Sequence, residues 1–259
     1  MAKPAGSACN LDCAYCFYLS KRVLPGGPGS GHMPDEVLER FVKDYIDSVT
    51  SDEVVFSWQG GEPTLLGLEF FEKVVTLQAK HAKPGQRIEN DLQTNGTLLD
   101  DDWARFLKQQ RFLVGLSIDG PREIHDHCRI TKHAEPTFDQ VFAAAKMLQK
   151  HGVRFNTLTC VHRYNASRPL DVYRFLRREI GSTYIQFIPI VEIRGFENMA
   201  PGTWDEAKLP MLGDPRCHPD HPESVVTPWS VAAEEYGYFL SKIWDEWQAR
   251  DVGKVLVNL

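Results

Sequence analysis

Short apolar runs alternate with amphipathic segments along most of the chain, and that alternation limits the fold more than any other feature. The runs "EVVFSW" (53–58), "RIENDLQTNG" (87–96), "FLVGLSIDG" (112–120), "VRFNTLTCV" (153–161) and "TYIQFIPIV" (183–191) read as strands. Between them lie "GLEFFEKVVTLQAKHA", "LLDDDWARFLKQQ", "TFDQVFAAAKMLQKHG" and "RPLDVYRFLRREIG", whose apolar residues recur at helical spacing. A further helix, "MPDEVLERFVKDYIDSV", precedes the first strand, with Pro34 and Asp35 suited to its opening turn. Gly152 suits the position just past a helix end. Strands that alternate with helices build βαβ units and a parallel sheet. The number of repeats favours a complete or partial barrel over a short open sheet. The expected fold is therefore α/β, a partial (β/α)6 barrel of the TIM type.

The remainder is less regular. "LPGGPGSG" (24–31) is a Gly/Pro-rich loop, and 195–230 is an irregular, Pro-rich stretch before a last helix, "VAAEEYGYFLSKIWDEWQAR". The residues before Cys9 are too few and too irregular for a strand, and "VGKVLVNL" ends on an apolar run with nothing to pair. Both ends read as cut. The expectation is one domain over 1–259, without its first strand, taken from inside a longer protein.

Charge and cysteine usage narrow the function classes. A net charge of −6 weighs against nucleic acid as a partner. No apolar run approaches the roughly 18 residues of a membrane span, and "MAKPAGSACN" lacks the apolar core of a signal peptide. A cytoplasmic, reducing setting is expected, where clustered cysteines point to metal or catalysis rather than disulfides.

Three of the 6 cysteines, Cys9, Cys13 and Cys16, fall within "CNLDCAYC" at C-x3-C-x2-C spacing. Three thiolates in one loop suit a soft metal centre. A structural zinc site takes four ligands, normally as two separated pairs, and no second C-x2-C or H-x3-H exists here. A [4Fe–4S] cluster usually takes four cysteines; three would leave one iron open to a ligand that is not protein. Zinc and unrelated core cysteines remain as alternatives. Cys128, Cys160 and Cys217 are scattered and read as small buried hydrophobes.

The motif, with its aromatic Tyr15, resembles the signature of radical S-adenosylmethionine (SAM) enzymes, in which SAM chelates the open iron. The resemblance extends to "WQGGEP" (58–63), implying SAM contacts at Gly60, Gly61 and Glu62. It extends also to "LSIDG" (116–120), implying a role for Ser117 at the ribose or carboxylate, and to "HDHCR", implying Arg129 at the carboxylate. "FIPIV" (187–191) resembles the segment that packs on the adenine, with Val191 as the contact. In isolation each reads otherwise: the glycines as a tight turn, Glu62 as a loop acid, Ser117 as a turn cap, Arg129 as a surface cation. Their common position after strand ends favours one rim. "QTNG" (93–96) sits at a strand end too and suits a positive-φ turn that shapes the pocket without touching SAM. His125 and His127 read as loop residues, not ligands.

Within that superfamily, "CNLDCAYCFYL", "WQGGEPTLLG", "LQTNGTLL", "VGLSIDGP", "YIQFIPIVE" and "FLSKIWDEW" resemble the anaerobic sulfatase-maturating enzymes along essentially the whole chain. That resemblance implies oxidation of a cysteine or serine of a sulfatase to Cα-formylglycine by way of a 5′-deoxyadenosyl radical. It implies a [4Fe–4S] cluster and SAM as cofactors, a sulfatase polypeptide as substrate, and an external one-electron donor of flavodoxin or ferredoxin type. Members of the family carry a cysteine-rich C-terminal SPASM domain with auxiliary clusters and a proposed aspartate base. No segment here matches it, so no catalytic residue is assigned. The alternatives are a radical SAM maturase of another ribosomal peptide, and a non-catalytic iron–sulfur electron-transfer module. "WQGGEP" stands against the latter.

Overall fold

A computed structural model describes residues 1–16, 18, 32–195, 210–211 and 213–258. The loop at 24–31 lies outside the described residues, as do 196–209 and 212 of the Pro-rich stretch. In chain order the regular elements are α1 (Asp35–Ser48), β1 (Glu53–Trp58), α2 (Leu68–His81), β2 (Arg87–Thr94), α3 (Asp101–Gln109), β3 (Leu113–Ser117), α4 (Arg122–Cys128) and α5 (Phe138–Lys150). They continue with β4 (Arg154–Val161), α6 (Arg163–Ala166), α7 (Pro169–Arg174), β5 (Tyr184–Pro189), α8 (Ala233–Arg250) and β6 (Leu256–Asn258). The sheet has the order β1-β2-β3-β4-β5-β6, the α/β arrangement that the alternation predicts. No helix among the described residues is long and apolar enough to cross a membrane.

The chain forms two compact units. The first comprises Met1–Asn10, Gly26–Ser117 and Gln140–Phe155. In it β1 pairs in parallel with β2, Glu53 opposite Arg87 through Trp58 opposite Leu92, and β2 pairs in parallel with β3. The strands are short because each is closed by a turn residue, Gly60 after β1 and Gly96 after β2, both with positive φ. α1 buries Leu38, Val42 and Ile46, one residue per turn, and carries Asp35 and Glu36 where the positive end of the helix dipole favours them. α3 starts at Asp100, whose side chain accepts the Trp103 N–H at 2.9 Å. The core gathers Val54, Phe56 and Trp58 of β1 with Phe71 and Val74 of α2. Burying Trp58 leaves its indole N–H needing a partner, and Asn90 Oδ1 accepts it at 2.8 Å. Ala2 forms an isolated parallel bridge with Trp58, which is all the strand structure found ahead of Cys9 among the described residues.

The second unit comprises Leu11–Pro25, Ile118–Asp139 and Asn156–Leu259. β4 pairs in parallel with β5, and β5 with β6. The apolar tail expected to lack a partner is thus a strand: Leu256, Val257 and Asn258 align with Tyr184, Ile185 and Gln186. Three residues are too few to show a period of two, so the sequence pattern could not reveal it. α4 is another departure. Pro121 precedes it as N-cap, and His125 and His127, expected in a loop, lie on this 7-residue helix. α7 is shorter than its apolar pattern because the chain passes into a π turn at Phe175–Glu179. α8 is fastened to α7 by Arg174, whose Nε and Nη2 both donate to Glu246 at 3.0 Å, and by Tyr173, whose hydroxyl donates to Asp251 at 2.8 Å.

Candidate functional site

In the first unit the segment leading to Cys9 lies along the turn that follows β1. Gly61 N donates to Gly6 O at 2.9 Å and Glu62 N to Ala8 O at 2.7 Å. This close approach explains the glycine pair. A Cβ on Gly61 would stand 2.0 Å from Ala8 O, and one on Gly60, at φ +125, would stand 2.8 Å from Gly6 O. The backbone of the cysteine segment occupies the place where that Cβ would go.

Glu62 is almost fully buried. Its Oε1 accepts bonds from Thr64 N, Thr64 Oγ1 and Thr94 Oγ1 at 2.7–3.0 Å, and its Oε2 accepts from Asn95 N at 2.7 Å. Burial pushes its carboxyl above the usual range, against the pull of those donors, with Asn95 N–H foremost. Both oxygens are engaged by the protein, so Glu62 clamps the end of β1 to the end of β2. Asn95 continues the connection: its Nδ2 donates to Asn10 Oδ1 at 2.9 Å and lies 3.8 Å from Cys9 Sγ. Asn10 in turn donates to Thr97 Oγ1 at 2.8 Å. "QTNG" makes the positive-φ turn expected of it, at Gly96, but Asn10 was not anticipated; its place beside Cys9 was the signal. Ser117 is buried at the end of β3.

In the second unit Cys13 and Cys16 occupy a tight turn, with Cys16 N donating to Cys13 O at 2.9 Å. The loop is pinned by backbone bonds from Ala14 N to Cys128 O and from Asp12 N to Ile130 O, each 2.9 Å. Tyr15 between them is buried and donates its hydroxyl to Asp119 Oδ2. Arg129 is buried rather than on the surface, with Nε 3.0 Å from the same oxygen. Asp119 Oδ1 accepts Cys160 N at 3.0 Å. Burial opposes ionisation of Asp119, yet the Arg129 guanidinium, helped by the Tyr15 hydroxyl bond, outweighs it and holds the carboxyl below its usual range. His162 stacks on Tyr15 with ring centroids 5.3 Å apart, and neither of its ring nitrogens has a hydrogen-bond partner. Burial lowers His162 to about 4 and His125 to about 3, so both rings are neutral at pH 7. Val191 is exposed and lines a cavity of about 350 Å³ with Tyr15, Ile188, Pro189, Ile190, Glu192 and Ile193.

None of the six cysteines is in a disulfide. Burial, reinforced by Asp119, pushes Cys128 and Cys160 up to about 12, so both keep their protons and are poor metal ligands. Cys217, expected in a core, is exposed. Among the described residues no three His, Cys, Asp or Glu side chains converge as the ligands of one metal ion do. A [4Fe–4S] cluster takes cysteine thiolates as its protein ligands, the donor type that Cys9, Cys13 and Cys16 supply.

Known proteins supply the family. The profile of the radical SAM superfamily matches residues 4–176. A serine-type anaerobic sulfatase-maturating enzyme of Bacteroides thetaiotaomicron is 42% identical over 259 residues, which are 100% of this chain and 59% of that protein. A cysteine-type enzyme of Clostridium perfringens is 45% identical over 214 residues, 81% of this chain and 57% of that protein. The chain therefore spans less than two thirds of the length of these relatives. The solved structure of native anSMEcpe with bound AdoMet and Kp18Cys peptide superposes with a TM-score of 0.80 at 37% identity, covering 98% of this chain and 62% of that one. With the cysteine loop, the glycine turn and the parallel α/β sheet all in place, this chain belongs to the radical SAM superfamily.

Proposed function

We propose that residues 1–259 act as the radical SAM core of an anaerobic sulfatase-maturating enzyme, an oxidoreductase that converts a cysteine or serine of a sulfatase to Cα-formylglycine. The observation that carries this reading is the 42% identity to the serine-type enzyme, which runs over the whole chain, cysteine loop included. Cys9, Cys13 and Cys16 would hold a [4Fe–4S] cluster, with SAM as the ligand of the fourth iron. Bound together, cluster and SAM would supply one-electron radical chemistry directed at the Cβ of the target residue.

The chain's own residues supply position. Gly60 and Gly61 let the segment before Cys9 approach the turn after β1. Glu62 and Asn95 fix that turn to the end of β2. Arg129 and Ser117 supply a charge and a hydroxyl suited to the polar groups of SAM. Tyr15 and Val191 wall an apolar cavity that suits an adenine. A sulfatase segment is the substrate, a flavodoxin- or ferredoxin-type protein the electron donor, and the cytoplasm the setting, where clustered cysteines serve metals rather than disulfides.

The test is anaerobic: the chain reconstituted with iron and sulfide, then mixed with dithionite, SAM and sulfatase-motif peptides carrying Cys or Ser. 5′-Deoxyadenosine and peptide aldehyde are counted separately. Deoxyadenosine that depends on Cys9, Cys13 and Cys16, with aldehyde on one of the peptides, supports the reading. Deoxyadenosine with both sulfatase peptides unchanged and an unrelated ribosomal peptide modified would replace it.

A further inference from the structure

Asp119 lies two residues past β3 and is 0% exposed. A buried carboxylate costs several kcal/mol unless it is paired and hydrogen-bonded, so what it holds needs an explanation. Its Oδ2 accepts both the Tyr15 hydroxyl, from between Cys13 and Cys16, and Arg129 Nε, at 3.0 Å, from the end of α4. Its Oδ1 accepts Cys160 N at the end of β4, and its main-chain carbonyl accepts Asn165 Nδ2 of α6 at 3.4 Å. Arg129 also places its guanidinium carbon 5.6 Å from the centroid of the Tyr15 ring. Two side chains that the resemblance to radical SAM enzymes assigns to the cofactor site thus depend on one oxygen atom.

Resting on the functional reading above, we propose that Asp119 is the positioning residue of the cofactor pocket: it sets Tyr15 on the cysteine loop and Arg129 against each other before SAM arrives. A counter-ion alone would need only Arg129. The second acceptor bond couples the loop that carries two cluster thiols to the cation. The coupling is geometric. Tyr15 and Arg129 approach Oδ2 from different segments, so neither can move without disturbing the other's bond.

The experiment measures SAM affinity on cluster-loaded chain, through the change SAM makes in the electron paramagnetic resonance of the reduced cluster. Iron per chain and thermal midpoint are recorded alongside. Asp119→Asn is expected to weaken SAM binding about tenfold or more at wild-type iron content, the scale of lost outer-shell partners. Tyr15→Phe, which leaves the Asp119–Arg129 pair intact, is expected to weaken it as well. The double variant should be no weaker than Asp119→Asn alone, because Tyr15 acts through Asp119. A purely structural role would lower the thermal midpoint and leave SAM affinity of the loaded fraction unchanged. Wild-type affinity in Asp119→Asn, or additive losses in the double variant, overturn the proposal. If Asp119→Asn does not fold, Tyr15→Phe decides: reduced affinity supports it and wild-type affinity overturns it. A wild-type chain that gives no response to SAM overturns the functional reading and this proposal together. A wild-type response with unaltered variants overturns the proposal alone.

Discussion

The carbonyl oxygen of Ala8 lies 2.0 Å from the point where Gly61 would carry a Cβ, so residue 61 has room for glycine and nothing larger. The obstacle is backbone, not a side-chain tip that could swing aside. Gly61→Val therefore displaces the segment that delivers Cys9. The expected loss of stability is about 1–3 kcal/mol, as for other overpacking changes, accompanied by reduced iron loading. Thermal denaturation of the iron-free chain and iron per chain after reconstitution check it. A variant that melts and loads as wild type does would show that the segment is free to shift.

Asn95 joins Glu62 to Asn10 and places an amide nitrogen 3.8 Å from Cys9 Sγ. Replacing it with leucine removes those side-chain donors while keeping comparable bulk. Iron retention against a chelator is expected to fall about 10- to 100-fold, as when outer-shell partners of metal ligands are lost. The main-chain bond from residue 95 to Glu62 survives, so the thermal midpoint of the iron-free chain should change little by comparison.

His125 and His162 give the fold an acid-side dependence. Their folded values, about 3 and about 4, lie below the ordinary imidazole value. Between those values and about 6.5 the unfolded chain binds more protons than the folded one, so stability falls as pH falls through that window and is fully present above it. His162→Phe keeps a ring to stack on Tyr15 and removes two buried nitrogens without partners. It should flatten the decline between pH 6.5 and 4 and cost nothing at pH 7. Urea denaturation at a series of pH values reads both slopes; a slope equal to wild type would contradict the assignment.

Tyr173→Phe removes only the hydroxyl that donates to Asp251 at 2.8 Å. Asp251 keeps Arg177 Nε at 3.2 Å. The expected cost is about 1 kcal/mol, that of one hydrogen bond. Hydrogen exchange should show it first at the C-terminal end of α8, next to Asp251. A uniform loss of protection over the second unit would argue against a local fastening.

Much of this was legible before any coordinates. Five of the six strands, and α1, α2, α3, α5 and α8, fall on their sequence patterns because each is long enough to show a period. α4 and β6 are not, so their residues took the default of loop and unpaired tail. The three cysteines proposed as ligands lie in one short motif, so the proposal could be read directly from the sequence. The roles of Gly61 and Glu62 could not be: the sequence marks both as special, but only the fold shows that one faces Ala8 and the other Thr64, Thr94 and Asn95. Arg129 is similar. Nothing in "HDHCR" announces that its nearest anion is a carboxylate ten positions earlier, because that pairing depends on how α4 turns back toward β3.

The loop from Leu11 to Cys16 is held by main-chain bonds to Cys128 and Ile130, none of which involves a thiol. Its main-chain path is therefore held by bonds that do not pass through Cys13 or Cys16 Sγ. When oxygen strips a cluster, a site that was folded by its metal must refold before it can be rebuilt. Should Cys13 and Cys16 hold the proposed cluster, their cradle would stand without it, and recovery from exposure to air would be a matter of resupplying iron, sulfide and electrons rather than of making the protein again.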